Sequence, residues 1–499
     1  MIYKIGLLCL LSIFFTDVNG QDKKRLNVLF VLVDDLRPSI GAFGDSLSVT
    51  PNLDQLAKSS HVFERAYTNQ AVCVASRYNL LLGARSTSTG LYDFGRAFRD
   101  FYPQATTLPE YFKKEGYHTE AIGKVFHVGH NTYNDEQSWS VPHFHEKVIE
   151  YADKSTHSST REEALFANVS WAEANQLPKG AAYESPDVSD DTYADGRVAN
   201  RAMQRLEELK NTGESFFMAV GFARPHLPFS VPKKYWDLYN EQDFDNVDRT
   251  TNPDLAPKFA TKRDEEISQY AGIPLSATVD PFPDSLAMKL RHGYYAGVSY
   301  VDAQIGKVIQ KLQETGLDSN TIVVLWGDHG YLLGEMGMWT KHVNYEIANR
   351  IPLIIHHPDH NNGVKTKEFI ETVDLFPTLA ALCGLKTPEV QQPLDGVSFE
   401  PMFSSGKQDI REYVYHCFPR GGMLGEAIRD KNFRMVRWTP MRADREVVYE
   451  LYEYSNGLVE TKNIWSEDHP EFIRLKAILE SHPAAASMRP ESKPRKASL

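Results

Sequence analysis

Two stretches of this chain are apolar at nearly every position instead of at every second one. Leu26 to Val33 and Thr321 to Trp326 are runs of β-branched and aliphatic residues, the pattern of strands covered on both faces in a parallel sheet. Ser215 to Phe222, Ile351 to Ile355 and the shorter His61-Val62-Phe63 and Ala121-Ile122 read as further strands. Between them apolar positions recur at helical spacing. Thr50 to Ala57 opens on a cap and Pro51, Leu108 to Glu115 is stopped by Gly116, and Val298, Val301, Ile305, Val308 and Leu312 mark a helix stopped by Gly316. Asp195 to Leu209 and Val373 to Leu382, with an internal proline, add two more. Strand alternates with helix, so the expected fold class is α/β, a large mostly parallel sheet flanked by helices.

Two regions break this rhythm. His130 to Asp195 and Asn240 to Pro283 are polar, dotted with aromatics and weakly periodic, which predicts long surface loops around a site. Beyond Pro401 the pattern changes to alternation in Tyr413 to His416, Gly425 to Arg429, Phe433 to Trp438 and Val447 to Tyr454, as in a small antiparallel sheet. The division expected is therefore a large domain over 21–405 and an antiparallel-sheet subdomain over 406–488, with a basic, proline-containing disordered tail over 489–499. At the other end Lys4 precedes an apolar run, Ile5 to Phe15, too short to span a bilayer. Residues 1–20 read as a secretory signal cleaved near Gly20-Gln21, which sends the chain to a secreted, periplasmic or lysosomal destination. No other run approaches a transmembrane segment.

With 499 residues, 42% hydrophobic and 24% charged, the composition is that of an ordinary globular protein with one large and one smaller domain. The formal charge of −12 argues against a nucleic-acid partner. It also requires that any anionic substrate be captured by local cations against the overall field. Once the leader and its Cys9 are removed, Cys73, Cys383 and Cys417 remain. If Cys73 is modified, the other two can form one disulfide or stay free. Asn168-Val169-Ser170 is a glycosylation sequon for a eukaryotic secretory pathway.

The two apolar runs share a feature: each ends in acid. The first leads to Asp34-Asp35 and the second to Gly327-Asp328-His329-Gly330, at the strand ends where open α/β sheets place their ligands. Three carboxylates and a histidine favour Ca²⁺ or Mg²⁺ over softer metals, and a crowded site completed by substrate oxygens favours Ca²⁺. Zinc is the second choice, through His329. The stretch Ala71 to Arg77, followed by Tyr78 to Arg85, sets a cysteine four residues before an arginine at the start of a helix. That spacing puts the sulfur beside a guanidinium and near free backbone N–H groups, where an anion is favoured and a reactive side chain can be exposed.

Cys73-Val74-Ala75-Ser76-Arg77 with its following apolar run and Gly83-Ala84-Arg85, the strand ending Asp34-Asp35, Gly123-Lys124-Val125-Phe126-His127 and Gly327 to Gly330 occur in one order. The chain thereby resembles the type I sulfatases, a branch of the alkaline phosphatase superfamily, over nearly its whole mature length. Within that family, Arg224 to Phe229 and Trp339-Thr340-Lys341 resemble segments of the iduronate-2-sulfatases and their bacterial relatives. The resemblance implies that a formylglycine-generating enzyme oxidises Cys73 to formylglycine, although Ala75 stands where most such motifs have proline. It implies one Ca²⁺ held by Asp34, Asp35, Asp328, His329 and the modified Cys73, and a sulfate surrounded by Arg77, Lys124, His127, His226 and Lys341. The implied reaction is hydrolysis of a sulfate ester through a formylglycine hydrate and a covalent sulfoenzyme, with His127 as the base that releases sulfate and His226 or Lys341 protonating the leaving oxygen. The implied substrate is a sulfated saccharide, a 2-O-sulfated uronic acid of a glycosaminoglycan or similar polysaccharide. Tyr331 and the segment His416 to Arg420 are further candidate substrate contacts. The alternatives are a sulfatase for another polysaccharide such as ulvan, a phosphatase or phosphodiesterase of the same superfamily, and a non-catalytic protein that binds sulfated glycans.

Overall fold

The structure is a computed structural model that describes residues 25–152, 159–244, 251–261, 266–274, 282–442, 445–455 and 457–493. The expected signal segment and the last residues of the tail lie outside this range. The strands are β1 (Asn27–Val33), β2 (His61–Tyr67), β3 (His118–Gly123), β4 (Tyr183–Glu184), β5 (Phe216–Phe222), β6 (Phe229–Ser230), β7 (Thr321–Gly327), β8 (Arg350–His356), β9 (Val364–Glu371), β10 (Tyr413–Arg420), β11 (Met423–Asp430), β12 (Phe433–Pro440) and β13 (Val448–Glu453). The central sheet has seven strands in the order β3-β5-β1-β7-β8-β2-β9. All run parallel except β8, which is antiparallel to both of its neighbours.

The unbroken apolar runs have a direct cause in this arrangement. Leu29, Val31 and Val33 of β1 face a core shared with the helices Ala194–Thr212 and Asp284–Glu314, while Val28, Phe30 and Leu32 face a second core. That second core is built on helix α2 (Cys73–Leu82), which follows α1 (Pro51–Ala57) in sequence, and on the helix Leu375–Leu382. A strand with helices on both faces has no solvent side to mark with polar residues.

β9 escapes the sequence reading because it is an edge strand. Val364, Lys365 and Lys367 are exposed along its first half, which is how natural sheets blunt an open edge. The C-terminal sheet β10-β11-β12-β13 is antiparallel as expected. Against it packs a helix, Pro470–Ser481, whose Phe472, Leu475 and Leu479 meet Tyr415, Ile428, Met435 and Leu451. The start of the expected disordered tail is instead docked on the large domain. Arg489 donates its backbone N–H to Gly90 O at 2.9 Å, and Ser492 donates to Gly95 O at 2.7 Å. The expected loop region 130–195 contains short helices, among them Arg161–Phe166 with a capping box between Thr160 and Glu163.

Candidate active site

Six of the expected site residues stand where an element begins or ends. β1 delivers Asp34 and Asp35, the second in the left-handed region at φ 58°. β7 delivers Asp328 and His329, β3 delivers Lys124, and α2 begins at Cys73. The β3 and β5 backbones meet closely at this end. A Cβ on Gly123 would lie 2.1 Å from Gly221 O, and one on Gly221 would lie 2.0 Å from Lys124 O. Glycine at both positions lets Lys124 turn inward beneath the sheet end.

Asp34, Asp35, Cys73 and His329 are all buried, and one donor atom from each falls within 4.8 Å of all the others. His329 Nε2 lies 3.2 Å from Cys73 Sγ, and His329 Nδ1 lies 3.3 Å from Asp35 Oδ1. Asp34 Oδ1 and Asp35 Oδ1 are buried without any hydrogen bond. Oxygens in that condition cost free energy unless something binds them. The two carboxylates suit a hard divalent cation, whereas the Cys73 sulfur suits a softer one unless an oxygen replaces it.

Asp328 stands differently from the other four expected ligands. Its Oδ1 accepts the backbone N–H groups of Asp35 at 3.0 Å and His329 at 2.9 Å, and its Oδ2 accepts Arg77 Nε at 3.1 Å. It thus locks the two acid-bearing strand ends to α2.

Arg77 also donates to the carbonyl oxygens of Lys124 and Val125, and Lys124 pairs with Asp34. Lys341 Nζ reaches Asp35 Oδ2 at 3.1 Å. Arg77, Lys124 and Lys341 supply local cations that the net charge requires, and each of these three is already engaged with an acid. Sequence reasoning missed the acid that completes this pattern: Glu266 bridges His226 Nε2 at 3.0 Å and Lys341 Nζ at 2.6 Å. It lies in a weakly periodic region and carries no motif, so no local signal marks it. His130 was missed for the same reason; its Nδ1 lies 3.2 Å from His127 Nε2.

Burial shapes the protonation of the whole site. It pushes Asp34 up, but Lys124, His226 and Arg77 outweigh it and hold the carboxyl well below its usual range. Burial and the neighbouring Asp34 charge push Asp328 up to about 7. Burial also outweighs Lys341 at Asp35, which is raised. The Cys73 thiol is pushed well up by burial and by Asp34. The expectation of an exposed, anion-favouring cysteine therefore fails for the free thiol, because it is buried and faces the Asp34 and Asp328 charges. Burial and the Lys124 charge hold His127 well below its usual value, so it is neutral, and its Nδ1 has no hydrogen-bond partner.

A cavity of about 750 Å³ opens over Cys73, His127, His226 and Lys341. Its lining includes the aromatic rings of Phe94, Phe166 and Trp171, and also Phe418 to Gly421 at the β10 to β11 turn. Two expected contacts are absent from its lining. Tyr331 is buried and donates its hydroxyl to Trp339 O at 3.1 Å, and His416 lies inside β10 with Nδ1 3.2 Å from Asn344 Oδ1. Cys383 and Cys417 are both free and buried. The Asn168 side chain is engaged in the fold, donating to Thr132 O at 3.2 Å.

Comparison with known proteins agrees with this geometry. Residues 26–385 match the family described as Sulfatase, and residues 334–482 match the C-terminal region of N-sulphoglucosamine sulphohydrolase. The chain is 35% identical over 394 residues to iduronate 2-sulfatase of Homo sapiens, covering 73% of this chain and 70% of that one. It is 28% identical over 441 residues to an ulvan-active sulfatase of Formosa agariphila, covering 85% and 75%. Among solved structures, a complex with the substrate D-glucosamine-2-N,6-O-disulfate superposes with a TM-score of 0.71 at 21% identity, over 92% of this chain and 97% of that one. A phosphonate monoester hydrolase of Agrobacterium radiobacter has the same TM-score and identity, over 91% and 94%. With a family match spanning the central sheet and its acid-tipped strands, the chain belongs to the sulfatase family and is a sulfuric ester hydrolase.

Proposed function

We propose that this enzyme removes the 2-O-sulfate of a uronic acid in a glycosaminoglycan or similar polysaccharide, using formylglycine made from Cys73. The observation that carries the reading is the placement of Cys73. It opens α2 within ligand distance of two buried carboxylates, each with one oxygen that accepts no hydrogen bond, where a thiolate is disfavoured. An aldehyde hydrate at that position offers neutral hydroxyl groups to the same acids. A Ca²⁺ held by Asp34, Asp35, Asp328, His329 and the modified Cys73 would supply the positive charge that acidifies a hydroxyl and draws in the sulfate.

The chain's own residues account for the remaining work. Arg77 and Lys124 anchor the nucleophile's surroundings through their contacts to Asp34 and Asp328. Lys341 and His226 hold the sulfate oxygens and the leaving oxygen, and one of them donates the proton. Neutral His127, with a free Nδ1, accepts the proton whose loss lets the sulfated residue expel sulfate and return to the aldehyde. The leader at 1–20 supports passage through an export pathway, where the converting enzyme would meet the chain before folding.

Similarity to iduronate 2-sulfatase and to an ulvan-active sulfatase supports a uronate polymer as substrate. The test has two parts. Peptide mass spectrometry of the active protein should find formylglycine at position 73. Turnover of 2-sulfated iduronate should exceed that of 6-sulfated N-acetylglucosamine and of a neutral sulfated sugar; equal or better turnover of the neutral sugar refutes the uronate assignment.

A further inference from the structure

The lining of the cavity includes an arginine, Arg420, that no carboxylate of the described residues answers. Arg420 closes β10 at the tip of the first C-terminal hairpin, before Gly421 and Gly422, both at positive φ. Its Nε donates to Phe259 O at 2.8 Å and its Nη1 to His342 O at 3.1 Å. Both partners are neutral carbonyls, and among the described residues no carboxylate pairs with it. Two other cations of this cavity, Arg161 and Lys341, are in a different condition. Arg161 pairs with Glu162, and Lys341 with Asp35 and Glu266. Burial pulls the Arg420 guanidinium down to about 10, the mark of a cation with little to offset its desolvation.

Its position is held from two sides. Phe418, two residues earlier, stacks on His342 at 5.6 Å, and Phe259 packs edge-on to Trp438 at 5.2 Å. The carbonyl of His342 belongs to the residue after Lys341, so the unpaired guanidinium is tied to the segment that brings a cation to the sulfate end of the cavity. A planar, fixed fork of donors suits a carboxylate.

We propose that Arg420 binds the carboxylate of the sulfated uronate, so that the C-terminal hairpin sets the enzyme's preference for an acidic sugar. This rests on the reading above that the cavity takes a sulfated uronate. Lys258 also lines the cavity, but it is exposed to solvent, where a charge contact is weaker.

The experiment compares the mature, metal-loaded wild type with Arg420→Met and Arg420→Lys on two substrates. One is a disaccharide ending in 2-sulfated iduronate, and the other is the same disaccharide with its carboxylate reduced to an alcohol. The wild type should favour the acid roughly ten-fold to a hundred-fold in kcat/KM. Arg420→Met should lose that preference through KM while turning over the reduced substrate as the wild type does, and Arg420→Lys should restore part of it. Unchanged turnover of the reduced substrate shows that the variant is folded. If Arg420→Met keeps the preference, or both variants lose both substrates equally, the proposal is overturned. A wild type indifferent to the carboxylate overturns the uronate reading together with it.

Discussion

Two buried clusters of opposite charges flank α2, and they are built on different rules. On the far side, Glu371 accepts Arg85 Nε at 2.9 Å, Asn69 Nδ2 at 2.8 Å and the Tyr415 N–H at 2.9 Å. Asp374 accepts Arg411 Nε at 3.1 Å and the N–H groups of Glu371 at 2.8 Å and Val397 at 2.7 Å. Every carboxylate oxygen there has a donor. Near the strand ends, Asp34 and Asp35 each keep a buried oxygen with none. The first cluster joins β9, α2 and the start of the C-terminal sheet and asks for nothing more. The second leaves two buried carboxylate oxygens without a donor in a group whose ligand atoms lie close enough together to hold a cation.

The sharpest separation should come from Cys73→Ala. Turnover should fall roughly 10⁴-fold or more, while unfolding in urea shifts by less than about 1 kcal/mol. A large loss of stability would mean that the active cluster also holds the fold together.

His127→Ala tests the division of labour inside the active cluster. With the base removed, sulfate release should slow by roughly 10² to 10⁴-fold. One equivalent of alcohol should then appear in a burst before the reaction stalls. Equal slowing of both steps, without a burst, would remove His127 from the base role.

The comparison is most exposed to a pair of stability measurements. Glu371→Gln leaves Arg85 and Arg411 buried against a neutral group and should cost about 3 to 5 kcal/mol. Asp35→Asn, measured in chelator, should cost far less, because it removes a carboxyl that burial already disfavours as a charge. Similar losses for both variants would show that the two clusters serve the fold alike.

Acid should act on the satisfied cluster in a defined direction. Burial pushes Glu371 up, but Arg411 and Arg85 outweigh it and bring the carboxyl to about 2, below its ordinary 4.5. Its contribution is therefore complete above pH 4.5 and is lost as pH falls from there through 2. The loss should amount to about 3 kcal/mol, seen as a wild-type slope in urea unfolding against pH that Glu371→Gln lacks. Asp328, raised to about 7, acts with the opposite sign in chelated protein. It binds a proton on folding and weakens the fold as pH rises from about 4 towards 7. The smallest effect is expected from Glu266→Gln, which frees His226 and Lys341 of their acid and should tighten inhibition by free sulfate several-fold; unchanged inhibition would mean that Glu266 does not compete for that place.

What could be read from the sequence alone was whatever physics writes into neighbouring residues. A strand covered on both faces must be apolar throughout, so β1 and β7 announced themselves together with the acids at their ends. The cysteine, the arginine four residues on and the helix that carries them lie in one short segment. The helix Pro470–Ser481 was not read from the sequence, which led to an antiparallel sheet alone in this part of the chain. The tertiary structure decided the rest, because desolvation and partnership depend on what packs nearby from far along the chain. Lys341 meets Asp35 across 306 residues, and His329 meets Cys73 across 256. No local pattern says that Asp328 spends its oxygens on strand ends and Arg77 while Asp34 and Asp35 keep one each unpartnered, or that Glu266 and Arg420 face the same cavity with and without a partner. Those facts rest on which buried groups find a donor or a counter-charge, and only the folded chain settles that.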